Sequence, residues 1–221
     1  MRLVFDIETN GLLDSITKVH CIVAKDIDTQ EVYSYRPTEL KAGVDLLLNA
    51  KQLIGHNIQD FDIPALEQIF KVKFENELVD TLLISRLIWT DIKDKDFRDK
   101  VVPSQLIGKH SLDAWGYRLG KRKGDYIKTH GFEEWTEEMQ SYCENDVEVT
   151  YLFYLKILQQ RYSSEAIDLE HQFAYWIRKQ ERQGVNFDLT SAEKLFVFLT
   201  KKRLELEQQL TQAFPPIEKH V

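Results

Sequence analysis

The chain opens on an apolar run, Leu3-Val4-Phe5, that predicts a buried strand, and two carboxylates, Asp6 and Glu8, then interrupt the pattern before Asn10-Gly11 turns the chain. Val19–Ile27 predicts a second strand. Glu31–Arg36 predicts a third, with the two joined by a hairpin turn at Asp28-Thr29-Gln30. Three early strands followed by helices predict an α/β fold, a mixed sheet with the first strand near its centre.

Helical periodicity takes over from about Thr38 to Asn49, with Leu40, Val44, Leu46, Leu47 and Leu48 apolar. Gln52–Asn57 reads as a short strand with a sharp exit. Pro64 suits the first turn of a helix, which puts Asp62 at or beside its N-terminus. Leu78–Thr81 reads as a strand end, with Asp80 capping a helix over Leu82–Trp89. Thr90–Pro103 alternates in charge and predicts an exposed loop or insertion; it lacks the glycine and closing glutamate of a calcium loop. Ser111–Gly120 predicts a short helix with Trp115 and Leu119 turned to the core. Thr136–Arg161 predicts a long one, capped by Thr136, with a stripe of Met139, Cys143, Val147, Tyr151, Tyr154 and Leu158. Beyond it, Leu169, Phe173, Trp176 and Ile177 mark one face of a helix ended by Gly184. Thr190-Ser-Ala-Glu193 has the capping-box pattern for a last helix, apolar at Phe196, Leu199, Leu206 and Leu210 and stopped by Pro215-Pro216.

Composition narrows the field. The 221 residues allow one large domain, or one domain plus an extension, and 43% hydrophobic with 29% charged residues fits a globular protein with a core. No segment has the apolar length of a membrane span, and the N-terminus lacks a secretory pattern. Cys21 and Cys143 are too few and too far apart in sequence for a disulfide framework or a zinc site, and read as reduced, intracellular thiols. A net charge of −7 argues against holding duplex DNA by bulk electrostatics. Between Arg118 and Lys128 lies a local basic run (Arg118, Lys121, Arg122, Lys123, Lys128), which suits either a solvated face or phosphate contact.

The candidate chemistry lies in the carboxylates. Residues i and i+2 of a strand share a face, so Asp6 and Glu8 project together. Like charges that close repel, and a divalent cation resolves the conflict. Taken alone, each acid has a plainer reading: a solvated edge for Asp6 and Glu8, a cap for Asp62, the edge of the core for Asp146. Tyr142 and Asp146 are i, i+4 on the long helix and share a face. Four carboxylates that reach one site can hold two divalent cations about 4 Å apart, the arrangement for in-line phosphodiester cleavage, and a nearby tyrosine hydroxyl could orient the attacking water.

In order and context these residues resemble the DEDD exonuclease superfamily. The first motif matches Asp6-Ile-Glu8, the second Asn57-Ile-Gln-Asp-Phe61-Asp62, and the third Tyr142 through Asp146. Asp60 rivals Asp62, and the aromatic–Asp pair favours Asp62. Ser141 stands where the histidine subclass has its histidine, so the tyrosine subclass fits. With Asp80–Leu87 and Ala114–Gly120, the stretch from Met1 to Arg161 is similar to the proofreading domain of T-seven-like bacteriophage family A DNA polymerases. Asp168–His171 and Gln180–Asp188 resemble the segment that joins that domain to the polymerase.

The resemblance implies a ribonuclease H-like mixed β-sheet flanked by helices over residues 1–162, and a helical extension over 163–221 resembling the start of a polymerase domain. It implies a 3′→5′ exonuclease that releases nucleoside 5′-monophosphates from single-stranded DNA, with two Mg2+ ions, Mn2+ also accepted. Asp6 would bridge both ions, Glu8 and Asp146 would complete one site, Asp62 would serve the other through water, and Tyr142 would position the attacking water. Thr9, Asn10, Leu12, Asn57 and Phe61 would grip the terminal nucleotide. The implied partners are a 3′ DNA end and a polymerase, in cis or separate, with no membrane, in the cytoplasm of a bacterial host. No fingers, palm or thumb fits before Val221, so a piece of a polymerase and a stand-alone exonuclease both stay open. The stripes of the last two helices would bury on a polymerase body, on the nuclease or on a second copy. The rival activities are an RNase D-like exoribonuclease and a non-catalytic nucleic-acid-binding module. No P-loop, GxSxG or zinc-type histidine pair is present.

Overall fold

The computed structural model describes residues 1–121, 131 and 133–214. The chain divides into two compact units, Met1–Lys179 and Gln180–Val221. The first is built on a five-stranded sheet in the order β3-β2-β1-β4-β5. Its strands are β1 (Arg2–Thr9), β2 (Val19–Asp26), β3 (Val32–Tyr35), β4 (Gln52–Gly55) and β5 (Glu77–Asp80). The β1–β2 and β2–β3 pairs are antiparallel, whereas β1–β4 and β4–β5 are parallel. The mixed sheet with its first strand at the centre is the predicted one. The hairpin between β2 and β3 turns where Asp26 accepts the backbone N–H groups of Asp28 and Thr29, and Gln30 takes φ +63°.

Alternation along β1 sorts its side chains between two layers. Leu3, Phe5 and Ile7 pack with Val44 and Leu47 of α1 (Leu40–Leu48) and with Ile63 and Leu66 of α2 (Asp62–Phe70). Val4 packs on the other side with Cys21, Val23, Ile54, Cys143, Val147 and Tyr151. The helices of that layer are α3 (Thr81–Ile88), α4 (Ile92–Asp99), α5 (Leu112–Arg118) and α6 (Glu137–Leu158). Asp6 and Glu8 belong by alternation to the α6 side.

The predicted caps of α3 and α6 form, with Asp80 accepting the N–H of Leu82 and Thr136 that of Met139, and Ser111 caps α5 by accepting the N–H of Ala114. Trp115 is buried as expected and stacks on Phe153 at 4.0 Å between ring centroids. On α6, Leu158 is exposed rather than part of the stripe, because the last turn buries Ile157 instead.

The charged stretch Thr90–Pro103 is not simply a loop. It contains α4, whose residues Ile92 and Asp96, one turn apart, face inward. The physical reason is Arg118. Its guanidinium pairs with the buried Asp96 through two hydrogen bonds, of 2.9 and 2.7 Å, and lies over the Trp115 ring. The expectation that Arg118 belongs to an exposed basic run is corrected by the same pair: its side chain is only 9% exposed. Lys121 is exposed, and Arg122, Lys123 and Lys128 lie outside the described residues.

Two helices follow, α7 (Ser164–Gln183) and α8 (Leu189–Ala213), with Gly184 at φ +69° between them. Of the predicted face of α7, Ile177 is partly covered but Leu169, Phe173 and Trp176 are exposed, and a neighbouring stripe of Ile167, His171, Ala174 and Arg178 is partly covered as well. The cap of α8 is Asp188, not Thr190. The Asp188 carboxylate accepts the Ser191 N–H at 2.9 Å, which starts the helix two residues earlier and leaves Thr190 inside its first turn. The expected stop at Pro215-Pro216 lies outside the described residues.

Candidate active site

Because β1, β4 and β5 run parallel, their carboxyl ends share one end of the sheet, where open α/β sheets hold ligands. β4 accompanies β1 only from Arg2 to Val4, so Asp6 to Thr9 extend past it. A register shift in the β1–β2 ladder falls between Glu8 and Thr9 and ends the regular pairing there. The chain leaves β4 close over β1. A Cβ at Gly55 would come within 3.0 Å of the Phe5 carbonyl oxygen and collide with Ile58, so only glycine fits.

Carboxylate oxygens of Asp6 and Glu8 and the Cys143 sulfur all lie within 4.8 Å of one another. Glu8 and Cys143 are buried, and Asp6 is half-buried. Cys143 enters from α6, which packs on β1, with its sulfur 3.5 Å from the Asp6 carbonyl oxygen and 3.7 Å from Oδ2. Burial pushes the Cys143 thiol well up, and the neighbouring Cys21 thiol and the acids of β1 push the same way. A neutral thiol is a poor ligand, whereas Mg2+ and Mn2+ take hard carboxylate oxygens. The oxygen pair of Asp6 and Glu8 therefore fits a hard divalent cation, with Cys143 acting as a weak donor to Asp6. Cys21 and Cys143, distant in sequence, are neighbours in the fold, and both are free and buried.

Asp62 is the first residue of α2, as expected, and is buried. Burial pushes its carboxyl up to about 7; its own N–H and that of Ile7 oppose the shift, and the Asp80 carboxyl adds to it. Tyr142 and Asp146 are both buried on α6, one residue before and three after Cys143, and Tyr142 packs against Met139 and Trp135. Neither Asp62 nor Asp146 belongs to the 4.8 Å cluster among the described residues.

A pocket of about 440 Å³ adjoins Glu8, lined by Ile7, Thr9, Asn10, Gly11, Leu12, Phe61 and Glu133 as well. Four of the five residues expected to grip a nucleotide line it; Asn57 does not. Leu12 offers an exposed apolar side chain there. The Asn10 side chain closes the loop behind the pocket, accepting the N–H groups of Thr17 and Lys18 at 3.0 Å each and donating to the Thr17 hydroxyl. Thr9 donates to the Gly11 carbonyl oxygen at 2.9 Å. Glu133 was not anticipated, since it stands in an irregular segment with no motif around it.

The loop after β4 is held from behind. Asn57, at φ +69°, donates its N–H to Asp80 Oδ1 at 3.0 Å, and Gln59 donates to Oδ2 at 3.2 Å. Asp80 is thus the predicted cap of α3 and also an anchor for the loop that leads to Phe61 and Asp62.

The RNase_H superfamily model RNase_H_2 matches residues 3–158, which include Asp6, Glu8, Asp62 and Asp146. The chain belongs to the RNase H superfamily. Within the superfamily it is 36% identical to the DNA-directed DNA polymerase of Escherichia phage T7, over 96% of this chain and 37% of that polymerase. The polymerase of Enterobacteria phage T3 matches with the same identity and coverage. The chain therefore spans 37% of the length of these relatives. Among solved structures, Brucella melitensis NrnC with bound Mg2+ superposes with TM-score 0.52 at 16% identity, over 100% of this chain and 90% of that one. NrnC bound to pGG gives 0.54 at the same identity and coverage. At that identity the likeness concerns the superfamily fold.

Proposed function

We propose that this chain is a 3′→5′ exonuclease that releases nucleoside 5′-monophosphates from single-stranded DNA ends, as the proofreading part of a phage-type family A DNA polymerase or beside a separate one. The observation that carries the reading is the Asp6–Glu8 oxygen pair at the edge of a nucleotide-sized pocket to which Glu8 itself contributes. The similarity to the phage polymerases favours DNA.

In this reading residues 1–162 form the exonuclease domain and 163–221 the helical extension. Asp6, Glu8, Asp62 and Asp146 are the residues that would hold two divalent cations, Mg2+ with Mn2+ accepted. Such cations, when bound, lower the pKa of the attacking water and stabilise charge on the leaving oxygen. Tyr142 orients the water through its hydroxyl. Leu12 and Phe61 present apolar surface to the terminal base, Thr9 and Asn10 shape the turn beneath it, and Asn57 steers the loop that delivers Phe61. The protein acts in the cytoplasm of the bacterial host; no described helix is long and apolar enough to cross a membrane.

The test is a time course on matched 5′-labelled DNA and RNA oligonucleotides with Mg2+, Mn2+ or EDTA. A ladder that shortens from the 3′ end, faster on DNA and lost in EDTA, is the expected result. Preferential shortening of RNA would overturn the DNA assignment. Binding without shortening would favour a non-catalytic module.

A further inference from the structure

Helix α7 meets the segments behind the candidate site through two polar side chains, His171 and Arg178, set among the partly covered Ile167, Ala174 and Ile177. Its covered stripe runs Ile167, His171, Ala174 and Arg178, at the spacing of one helix face. His171 Nδ1 lies 2.8 Å from the Ile167 carbonyl oxygen, so that nitrogen carries the proton. Nε2 is then an acceptor, and the Asp80 backbone N–H donates to it at 2.8 Å. β5 is an edge strand, and this bond gives its last residue a partner that no further strand supplies. Seven residues along the same face, Arg178 pairs with Asp60 at 3.1 Å.

Both grips end on the segment that supplies the site. The Asp80 carboxylate holds the N–H groups of Asn57 and Gln59, and Asp60 lies between Gln59 and Phe61. Asn57 sits in the left-handed region, which a residue with a Cβ occupies at a cost unless its neighbours hold it there. Asp62, two residues past Asp60, is buried at the start of α2.

We propose that His171, acting through Asp80, and Arg178, acting through Asp60, are positioning residues for the loop that presents Asn57, Phe61 and Asp62 to the active site. The inference rests on the exonuclease reading for its effect on cleavage, though not for the coupling itself. It makes α7 part of the active-site scaffold rather than a connector. The chemistry at position 171 is specific: the side chain must accept a hydrogen bond from a backbone N–H, which lysine and arginine cannot do.

The experiment uses the full chain and two readouts, amide hydrogen exchange and steady-state cleavage of a 3′ DNA end. In His171→Phe, the amides of Asn57 and Gln59 should exchange about tenfold faster while those of β1 and α6 keep their protection. Its kcat should fall about tenfold or more, since small misplacements of reacting groups carry large rate penalties. His171→Gln, which keeps an acceptor, should recover much of both. Arg178→Glu should loosen the same loop, and adding Asp60→Arg should restore it. Wild-type exchange at Asn57 and Gln59 in both His171→Phe and Arg178→Glu would overturn the proposal. So would faster exchange spread evenly over β1 and α6 with no recovery in His171→Gln, which would mark a merely structural residue. If the wild-type chain cleaves nothing, the exonuclease reading fails while the exchange data still decide the coupling.

Discussion

Asp62 carries the clearest consequence at the scale of a single residue. Burial pushes its carboxyl up to about 7, from a usual value near 3.8. The folded state therefore holds a proton that the unfolded chain has lost, and stability from this group is full below about 3.8 and gone as pH rises past about 7. Asp62→Asn removes that dependence. In EDTA, thermal melts should show the variant gaining on wild type at pH 8 and losing the advantage near pH 4. Mg2+ should raise the wild-type melting temperature more at pH 8 than at pH 5, since a cation favours the ionised carboxylate. Cys21 and Cys143 are buried thiols and should resist alkylation in the folded protein, and mass spectrometry after native and denaturing labelling reads this out. The acids were legible in the sequence as strand-end and helix-start residues in a recognisable order. The neighbourhood of Cys143 with Asp6 was not, because it depends on which turn of α6 meets β1, and periodicity does not fix that.

At the scale of elements, the Asp96–Arg118 pair joins α4 to α5. Burial works to raise the Asp96 carboxyl, but hydrogen bonds from Arg118 and the Gly108 N–H outweigh it and hold the carboxyl below the usual range. Arg118→Ala would leave a buried acid without its cation and should cost about 3–5 kcal/mol in urea unfolding. DNA binding by whatever folded protein remains should keep its salt dependence, because Arg118 faces Asp96 and not phosphate. An unchanged unfolding midpoint would contradict the buried pair. Strands, caps and the long helix were legible because local patterning and tertiary packing agree there. α4 was missed because its inward face is Ile92 and Asp96, and a charged residue turns inward only when a partner 22 positions away meets it. On α7 the apolar stripe misled in part for a related reason: Ile177 is partly covered, but His171 and Arg178 also grip the neighbouring segments, and hydrophobic patterning says nothing of polar grips.

For the whole molecule, the parallel β1, β4 and β5 bring one strand end, one loop and one cap to the same end of the sheet, while α6 packs Cys143 against Asp6 of β1. Topology, not adjacency in sequence, is what assembles the candidate site, and residues 3–158 that match the superfamily are the residues that build it. α7 and α8 keep large apolar side chains exposed, including Phe173, Trp176, Phe196 and Phe198, in a chain that spans 37% of its phage polymerase relatives. The decisive measurement is the rate of 3′-end shortening of a single-stranded, 5′-labelled DNA oligonucleotide by wild type and by Asp6→Ala/Glu8→Ala, in Mg2+, with circular dichroism to show that both are folded. The account predicts a ladder for the wild type and none for the folded variant. Equal shortening by the two proteins would contradict it.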